Sequence, residues 1–347
     1  MSPVTDIEAI ADSAKTHWVN RAPLGIRPYL QLSRLDRPVG YWLLALPGWI
    51  GLAFAGLSHG LMGMDLIWAG LILIGAIAMR GAGCTYNDIV DQDLDAQVER
   101  TALRPLPAGT VTTKQAWRWT FAQIGIGFLV WLCLPLLAKG IALLALPLMA
   151  AYPFMKRITW FPQVWLGMTF NWAVLVAYAA KTGTVSPPLF WLYLGLIFWT
   201  VGYDTIYACQ DIEDDAIVGI KSTARKFGGR VKLGVGVCYL IALAMILFAL
   251  HPKVFGVTYV PQMRGHMHGN SSPLWLPHLI LLPFALHLFF QVFRLTPVNG
   301  KACLVIFKSN QIAALILTLS FLTMCTYNYI EFFSWADLGS TPLRIEE

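Results

Sequence analysis

The chain has 347 residues, of which 57% are hydrophobic and only 13% are charged. Soluble domains carry roughly 25% charged residues and rarely expose large apolar patches. The composition therefore excludes a soluble enzyme, a disordered chain and a nucleic-acid-binding module, and it indicates an integral membrane protein. In such a protein the formal net charge of +6 reports topology rather than an acidic partner.

Residues 1–38 are predicted to form a polar N-terminal segment. The stretch 24–35 is basic and partly amphipathic, so it either lies along the membrane surface or is a solvated tail. No apolar signal-peptide core is present, and Asp6, Glu8 and Asp12 are atypical of a mitochondrial transit peptide. These features predict a bacterial inner (plasma) membrane rather than a mitochondrial inner membrane.

Nine apolar stretches follow, each near the roughly 20 residues that a helix needs to cross a bilayer. Backbone groups in lipid must be hydrogen-bonded internally, so stretches of this length predict helices rather than barrel strands. The expected fold class is all-α, a polytopic membrane protein with nine transmembrane helices in one domain at 39–331 and a C-terminal tail at 332–347. The predicted spans are 39–57, 65–84, 116–135, 140–155, 163–181, 189–208, 231–250, 275–294 and 309–331.

The distribution of Lys and Arg predicts the orientation. Most of the 25 basic residues lie in the N-terminal segment and in the connections after even-numbered spans. By the positive-inside rule, the N-terminus and these connections face the cytoplasm. The extended loop 251–273 then lies on the opposite side. A copper or zinc site on its Met263, His266 and His268 is disfavoured because further ligands are lacking. The six cysteines have no Cys-x-x-Cys spacing and are predicted to be reduced.

Two acidic segments follow spans two and six, and therefore emerge on the same side. In the first segment, Asn87, Asp88, Asp91 and Asp95 are spaced so that the carboxylates share one helix face. In the second segment Asp211 and Asp215 are one helical turn apart. Asp204, seven residues earlier, lies on the same face and nearer the membrane.

Carboxylates clustered at two helix ends indicate a shared cation. Oxygen ligands without nearby His or Cys favour Mg²⁺, which completes its coordination with water and substrate phosphate. Nearby basic residues would neutralise the rest of a phosphate's charge. These residues are Arg80, Arg100, Arg104, Lys221, Arg225 and Lys226. The alternative is a set of solvated loop charges that pair with one another.

Three further basic residues stand at span ends. Arg37 opens span one, and Lys156 and Arg157 end span four. They either line a substrate pocket or act as interfacial anchors whose charged ends reach the polar headgroups. The abundant aromatic residues mostly indicate interfacial belts and helix packing, although a few inside the bundle could face a cationic or polyprenyl ligand.

The pattern Asn-Asp-x-x-Asp-x-x-x-Asp at 87–95, together with Asp-x-x-x-Asp at 211–215, resembles the UbiA-type prenyltransferase superfamily. The contexts at 37–40, 152–157 and 219–223 resemble its 4-hydroxybenzoate polyprenyltransferase branch. The resemblance extends over about residues 28–331. It implies a bundle of nine transmembrane helices with an active site open to the cytoplasmic side, under a cap of polar loops. The loop 251–273 is longer than expected for this family.

The resemblance also implies a reaction. A polyprenyl diphosphate would be joined to 4-hydroxybenzoate ortho to the hydroxyl, giving 3-polyprenyl-4-hydroxybenzoate and diphosphate in ubiquinone biosynthesis. The implied cofactor is Mg²⁺, and the implied surroundings are the lipid bilayer and other ubiquinone-biosynthesis enzymes, with no nucleic acid. Two Mg²⁺ ions would be held by Asn87, Asp91, Asp211 and Asp215, assisted by Asp88 and Asp95. Arg37, Arg80, Lys156 and Arg157 would bind the aromatic carboxylate or the diphosphate, and Asp204 would assist removal of the ring proton.

Three alternatives remain at this stage. The same scaffold could use another acceptor, such as homogentisate, a naphthoate, haem or a glycerol phosphate. A cation-coupled transporter is disfavoured because its ionisable groups would lie near the midplane on broken helices. A CDP-alcohol phosphotransferase would also use clustered aspartates with Mg²⁺, but its characteristic motif is absent from this chain.

Overall fold

The computed structural model describes residues 17–97, 99–251 and 275–339, without the side chains at 99–100, 214–215, 218 and 328–339. Most of the predicted loop 251–273, with Met263, His266 and His268, lies outside the described residues, as do residues 1–16 and 340–347 of the terminal segments. The side chains of Arg100 and Asp215 are also outside that description.

All regular structure in these ranges is helical. The α-helices are α1 (Arg27–Leu32), α2 (Val39–His59), α3 (Met64–Val90), α4 (Gln92–Asp95), α5 (Glu99–Ala102), α6 (Thr113–Cys133), α7 (Leu136–Ile158), α8 (Pro162–Phe170), α9 (Trp172–Thr182), α10 (Pro187–Ala208), α11 (Ile212–Val218), α12 (Thr223–Phe227), α13 (Val231–Ala249), α14 (Leu276–Arg294), α15 (Gly300–Lys308) and α16 (Asn310–Gly339). Short 3₁₀ turns lie at Trp18–Arg21 and Gly228–Arg230. The all-α membrane fold class is therefore confirmed.

The predicted count of nine spans is not reproduced. Seven helices in the described ranges are long and apolar enough to cross a membrane. They are Val39–His59, Met64–Val90, Leu136–Ile158, Pro187–Ala208, Thr223–Ala249, Leu276–Arg294 and Gly300–Tyr327.

The two remaining predicted spans differ for separate reasons. The span at 116–135 corresponds to α6, which has a polar first half containing Lys114 and Arg118. The span at 163–181 is divided into α8 and α9 at Asn171. The Asn171 amide donates hydrogen bonds to the Thr200 hydroxyl at 2.7 Å and to the Leu196 carbonyl at 3.2 Å, which anchors the break against α10.

Helices α2 and α10 lie at the centre of the bundle, where most of their side chains are buried. Small residues let the neighbouring backbones approach closely. A Cβ added at Gly51 would lie 2.6 Å from the Val174 carbonyl oxygen of α9, and one added at Gly202 would lie 2.3 Å from the Tyr239 ring of α13. Such contacts supply van der Waals packing where lipid offers no hydrophobic driving force. The outer helices α6 and α7 expose large apolar side chains instead, as lipid-facing helices do.

Candidate active site

The first acidic segment lies where α3 ends and α4 begins. The backbone N–H of Asp91 donates to the Asn87 carbonyl at 2.9 Å, so the helical turn continues to Asp91. Asp88 and Asp91 therefore lie on the same helix face, as the sequence spacing predicted. Asp88, Asp91 and Asp95 are all buried, with exposed fractions of 0%, 1% and 8%. Buried carboxylates require cationic or hydrogen-bonding partners, and each of the three has one.

Two arginines neutralise Asp88 and Asp95. Arg34 donates to Asp88 Oδ1 at 2.6 Å, and Arg104 lies 3.3 Å from the same oxygen. Arg104 also donates to Asp95 Oδ2 at 2.6 Å. Burial raises the pKa of Asp95, while the charge of Arg104 acts in the opposite direction. The other carboxylate oxygen of Asp88 has no hydrogen-bond partner in the described part of the chain.

Asp91 is held from the end of α7. Arg157 donates to Asp91 Oδ1 at 2.8 Å, and Lys156 forms an ion pair with Oδ2. The Asn87 side-chain amide donates to the same Oδ2 at 3.0 Å. Lys156 and Arg157 are therefore directed at the acidic segment in this structure and do not extend only towards lipid headgroups.

The double contact of Arg104 predicts a loss of stability when its charge is removed. We expect Arg104→Met to destabilise the protein by about 3–5 kcal/mol, because it leaves two buried carboxylates with less compensation. The measurement is the thermal unfolding midpoint of purified protein in detergent. Lys114→Met, at an exposed lysine of α6, is the control for losing one positive charge. Equal midpoints for the two variants would contradict the expectation.

Arg34 is the functional-site candidate that sequence reasoning missed. It has a φ of 54°, a left-handed conformation that non-glycine residues seldom adopt. Its side chain is 12% exposed and contacts Asp88 across 54 residues of sequence. A strained backbone conformation of this kind persists where contacts with the surrounding structure hold it in place. The only sequence signal was its position beside Asp36 and Arg37.

A cavity of about 860 Å³ opens beside these charges and runs into the bundle. One end is polar, and the remainder is lined mainly by apolar side chains of α2, α3, α6, α7 and α9. Six of the predicted site residues line it: Arg37, Arg80, Asn87, Asp88, Arg104 and Asp204. The cavity thus joins a charged mouth to an apolar interior, as a ligand with a charged head and a hydrocarbon tail would require.

Arg80 is positioned by the absence of a side chain at Gly40. A Cβ added at Gly40 would lie 2.7 Å from Arg80 Nε. The guanidinium carbon of Arg80 lies 5.2 Å from the centre of the Phe170 ring, a cation–π contact. Its Nε has no hydrogen-bond partner among the described residues, so the group has unused donor capacity at the cavity wall.

The second acidic segment reaches the first through a chain of contacts. Asp211 is partly buried just after α10, and α11 carries Asp215, whose side chain is outside the description. The Lys221 backbone donates to the Lys156 carbonyl at 3.0 Å, and Lys156 in turn contacts Asp91. Both segments therefore lie at one end of the bundle. Asp211 and Lys221 are not among the residues that line the cavity.

Further cavity residues that the sequence analysis did not assign to the site come from α7, α10, α15 and α16. Tyr152, Tyr203, Tyr207, Phe307, Lys308 and Gln311 line the same cavity. The Tyr207 and Phe307 rings pack with centroids 4.6 Å apart. The Gln311 side-chain nitrogen is buried and has no partner in the described ranges. Tyr203 and Tyr207 lie shortly before Asp211, whereas Phe307, Lys308 and Gln311 are far in sequence from both aspartate motifs, which left no local signal for them.

The side-chain oxygens at the charged end of the cavity are compatible with Mg²⁺ binding. No group of three or more His, Cys, Asp or Glu side chains in the described residues is arranged to hold a metal by itself. Mg²⁺ does not require such a group, because it is usually bound by one or two carboxylates and completed by substrate phosphates and water. The unpaired carboxylate oxygen of Asp88 and the nearby Asn87 side chain supply oxygen ligands of the appropriate kind.

Comparison with known proteins identifies the family. Residues 43–313 match the UbiA prenyltransferase family. The mitochondrial 4-hydroxybenzoate polyprenyltransferases of Bos taurus and Homo sapiens are each 38% identical over 307 residues, covering 87% of this chain and 76% of each relative. A UbiA homologue from Archaeoglobus fulgidus, solved bound to GPP and Mg²⁺, has a TM-score of 0.61 at 16% identity, covering 86% of this chain and 99% of that one. At that identity the likeness shows the fold.

The relatives correct one prediction and establish the family. Because both are mitochondrial proteins of eukaryotes, the prediction of a bacterial inner membrane is wrong. Membrane-spanning helices meet the same apolar requirement in either membrane, so the spans themselves carried no signal about the organelle.

The family match extends over most of the helical bundle and includes the first acidic segment, the second acidic segment and the cavity helices between them. The chain therefore belongs to the UbiA prenyltransferase family.

Proposed function

We propose that this chain transfers a polyprenyl group from its diphosphate to 4-hydroxybenzoate, at the ring carbon ortho to the hydroxyl. The products are 3-polyprenyl-4-hydroxybenzoate and diphosphate, formed in the mitochondrial inner membrane. The observation that carries the proposal is the cavity of about 860 Å³ with buried aspartates and arginines at one end and an apolar interior. Its charge and shape suit a polyprenyl diphosphate, and relatives that are 38% identical over 87% of this chain are named 4-hydroxybenzoate polyprenyltransferases.

The charged end would bind the diphosphate. The proposed Mg²⁺ ligands are Asn87, Asp88, Asp91, Asp211 and Asp215. Asp95 assists them and is paired with Arg104. Bound Mg²⁺ would neutralise charge on the leaving diphosphate, as metals do for developing oxyanions. Arg34, Arg104, Lys156 and Arg157 now contact carboxylates and would be free to donate to phosphate oxygens once those carboxylates bind metal.

The reaction breaks the allylic C–O bond and forms a carbon–carbon bond to the ring. Cation–π contact with the aromatic cavity wall, which includes Tyr152, Tyr207 and Phe307, would stabilise positive charge on the allylic carbons. The ring carbon attacks, and the ring proton then leaves to restore aromaticity. Asp204 lines the cavity in α10 and is the proposed acceptor of that proton. Electrostatic groups fixed before the reaction contribute most of such rate enhancements.

The acceptor carboxylate needs a cationic or donor-rich contact away from the metals. Arg37 and Arg80 line the cavity and remain the proposed binding groups among those predicted from sequence. Gln311 joins them because its buried amide nitrogen lacks a partner in the described residues. Lys156 and Arg157 are assigned to the diphosphate instead, since both contact Asp91.

A product assay tests the proposal. Membranes from cells that express the chain are supplied with labelled 4-hydroxybenzoate and a series of polyprenyl diphosphates, with Mg²⁺ or with EDTA. We expect label to enter the lipid fraction only with Mg²⁺, together with release of diphosphate. The same membranes are also offered homogentisate, a naphthoate or haem. If diphosphate is released with one of these compounds while 4-hydroxybenzoate is not prenylated, the chain uses another acceptor. Absence of release from folded protein with every prenyl donor would refute the transferase assignment and favour a cation-coupled transporter.

A further inference from the structure

A basic segment at 221–232 lies outside the cavity. It contains five Lys or Arg residues and no Asp or Glu in twelve positions. The five are Lys221, Arg225, Lys226, Arg230 and Lys232. None of them is among the residues that line the cavity of about 860 Å³. The segment therefore presents its positive charge on another surface of the molecule.

Buried contacts hold the basic segment in place against the bundle. Thr223 of α12 is fully buried, and its hydroxyl is hydrogen-bonded to the Thr205 hydroxyl of α10 at 2.5 Å. The Thr223 backbone N–H donates to Gln163 Oε1 of α8 at 3.1 Å. The Phe227 ring packs on α13, where a Cβ added at Gly234 would lie 2.5 Å from it. The basic side chains are therefore displayed from a fixed backbone.

Two cations of the basic segment lie over the ring of Trp160, which is exposed in the connection between α7 and α8. The guanidinium carbon of Arg225 is 5.5 Å from the ring centre, and Lys226 Nζ is 5.7 Å from it. Tryptophan is enriched where a membrane protein passes through the layer of lipid headgroups. The position of Trp160 therefore indicates that the neighbouring cations lie at headgroup level.

Large apolar side chains are exposed beside these cations. Ile158 and Phe161 flank the tryptophan in sequence, and Leu233 follows the last cation of the segment. Lys232 Nζ donates to the Phe293 carbonyl of α14 at 2.9 Å, and the Phe293 side chain is also exposed. Exposed apolar surface of this kind marks contact with the membrane. A headgroup bound by the cations would thus have apolar protein surface beside it for its acyl chains.

Much of the charge on the basic segment is not neutralised by the protein. Lys226, Arg230 and Lys232 are exposed, and within the described ranges no carboxylate forms an ion pair with them. The segment leads directly into the membrane-spanning helix α13, which begins at Val231. Clusters of about four to eight Lys or Arg next to such a helix attract lipids with anionic headgroups.

We propose that the basic segment, together with Trp160, binds the phosphate group of an anionic phospholipid at the membrane surface. Ile158, Phe161 and the other exposed apolar side chains contact the acyl chains. The lipid site lies beside the charged end of the cavity, because the Lys221 backbone N–H donates to the Lys156 carbonyl at 3.0 Å. It is separate from the proposed diphosphate site, since no residue of the basic segment lines the cavity.

The test counts lipids bound to the purified full-length protein in a neutral detergent by native mass spectrometry. The probes are the anionic lipids cardiolipin and phosphatidylglycerol and the zwitterionic lipid phosphatidylcholine. We expect the anionic lipids to half-saturate the protein at a concentration about 10-fold or more below that of phosphatidylcholine. The physical reason is that each basic residue near an anionic lipid surface raises affinity roughly fivefold.

Two glutamine double variants show where the anionic lipid binds. Lys226→Gln/Arg230→Gln is expected to weaken binding of the anionic lipids about 10-fold or more and to leave phosphatidylcholine binding unchanged. Lys114→Gln/Arg118→Gln is the matched control, because it removes two exposed basic residues from α6. It should keep the wild-type preference. Lys226→Arg/Arg230→Lys, which retains both charges, should also keep it.

Equal binding of all three lipids by the wild type would overturn the inference, as would an equal loss in the two glutamine double variants. Competition with inorganic pyrophosphate and Mg²⁺ separates the lipid from the substrate. We expect pyrophosphate to leave the lipid bound. If pyrophosphate displaces it, and Lys226→Gln/Arg230→Gln no longer binds pyrophosphate, the segment serves the diphosphate and the inference fails. Because the readout is lipid binding, a failure of the proposed transfer to 4-hydroxybenzoate would not affect this test.

Discussion

Asp91→Asn is expected to reduce prenyl transfer about 10²-fold or more, the usual magnitude for removing one preorganised electrostatic group. The substitution keeps the size of the side chain but removes the charge that Arg157 and Lys156 contact. It also removes a proposed Mg²⁺ ligand. The measurement is the rate of transfer of label from 4-hydroxybenzoate into lipid at saturating donor, together with the Mg²⁺ concentration that gives half of the maximal rate.

Asp93→Asn is the matched control for this prediction. Asp93 lies two residues away in the same acidic segment, but its side chain is exposed whereas Asp91 is 1% exposed. A general effect of negative charge on the segment would lower activity equally in the two variants. An Asp91→Asn enzyme as active as Asp93→Asn would contradict the assignment of Asp91 to the site.

Gly40→Ala is expected to lower activity while leaving the protein folded. The added methyl group would lie 2.7 Å from Arg80 Nε, so the guanidinium must move away from its position over Phe170. Because the clash is with the flexible end of a side chain, the backbone need not shift and stability should change little. Displacing a positioning group by about 1 Å can cost roughly 10²-fold in rate. The measurements are kcat, KM for 4-hydroxybenzoate and the unfolding midpoint.

Gly70→Ala controls for replacing a helical glycine by alanine. A Cβ at Gly70 would meet nothing within 4 Å, and the residue is exposed. This variant should be as active as the wild type and slightly more stable, because alanine favours helix by about 0.5–1 kcal/mol over glycine. The Arg80 assignment would be refuted by a Gly40→Ala enzyme with wild-type kinetics, or by a loss of activity that merely follows unfolding.

The membrane class and the helix positions were predictable because hydropathy and helical periodicity are local. The predicted spans at 39–57, 65–84 and 189–208 correspond closely to α2, α3 and α10. The predicted count of nine spans is not exact, because α6 begins with a polar half and the predicted span 163–181 is divided at Asn171. That break depends on the Asn171 hydrogen bonds to α10, which involve residues 25 and 29 positions away.

The sequence by itself determined an all-α membrane protein with an acidic motif at a helix end, since the Asn87, Asp88, Asp91 and Asp95 spacing and the apolar stretches are visible in short windows. Only the tertiary structure decided which cation meets which carboxylate. Arg34 reaches Asp88 across 54 residues and Lys156 reaches Asp91 across 65, distances over which sequence pattern carries no pairing information. Burial makes that pairing matter, because a carboxylate removed from water must find a partner wherever the packed helices bring one.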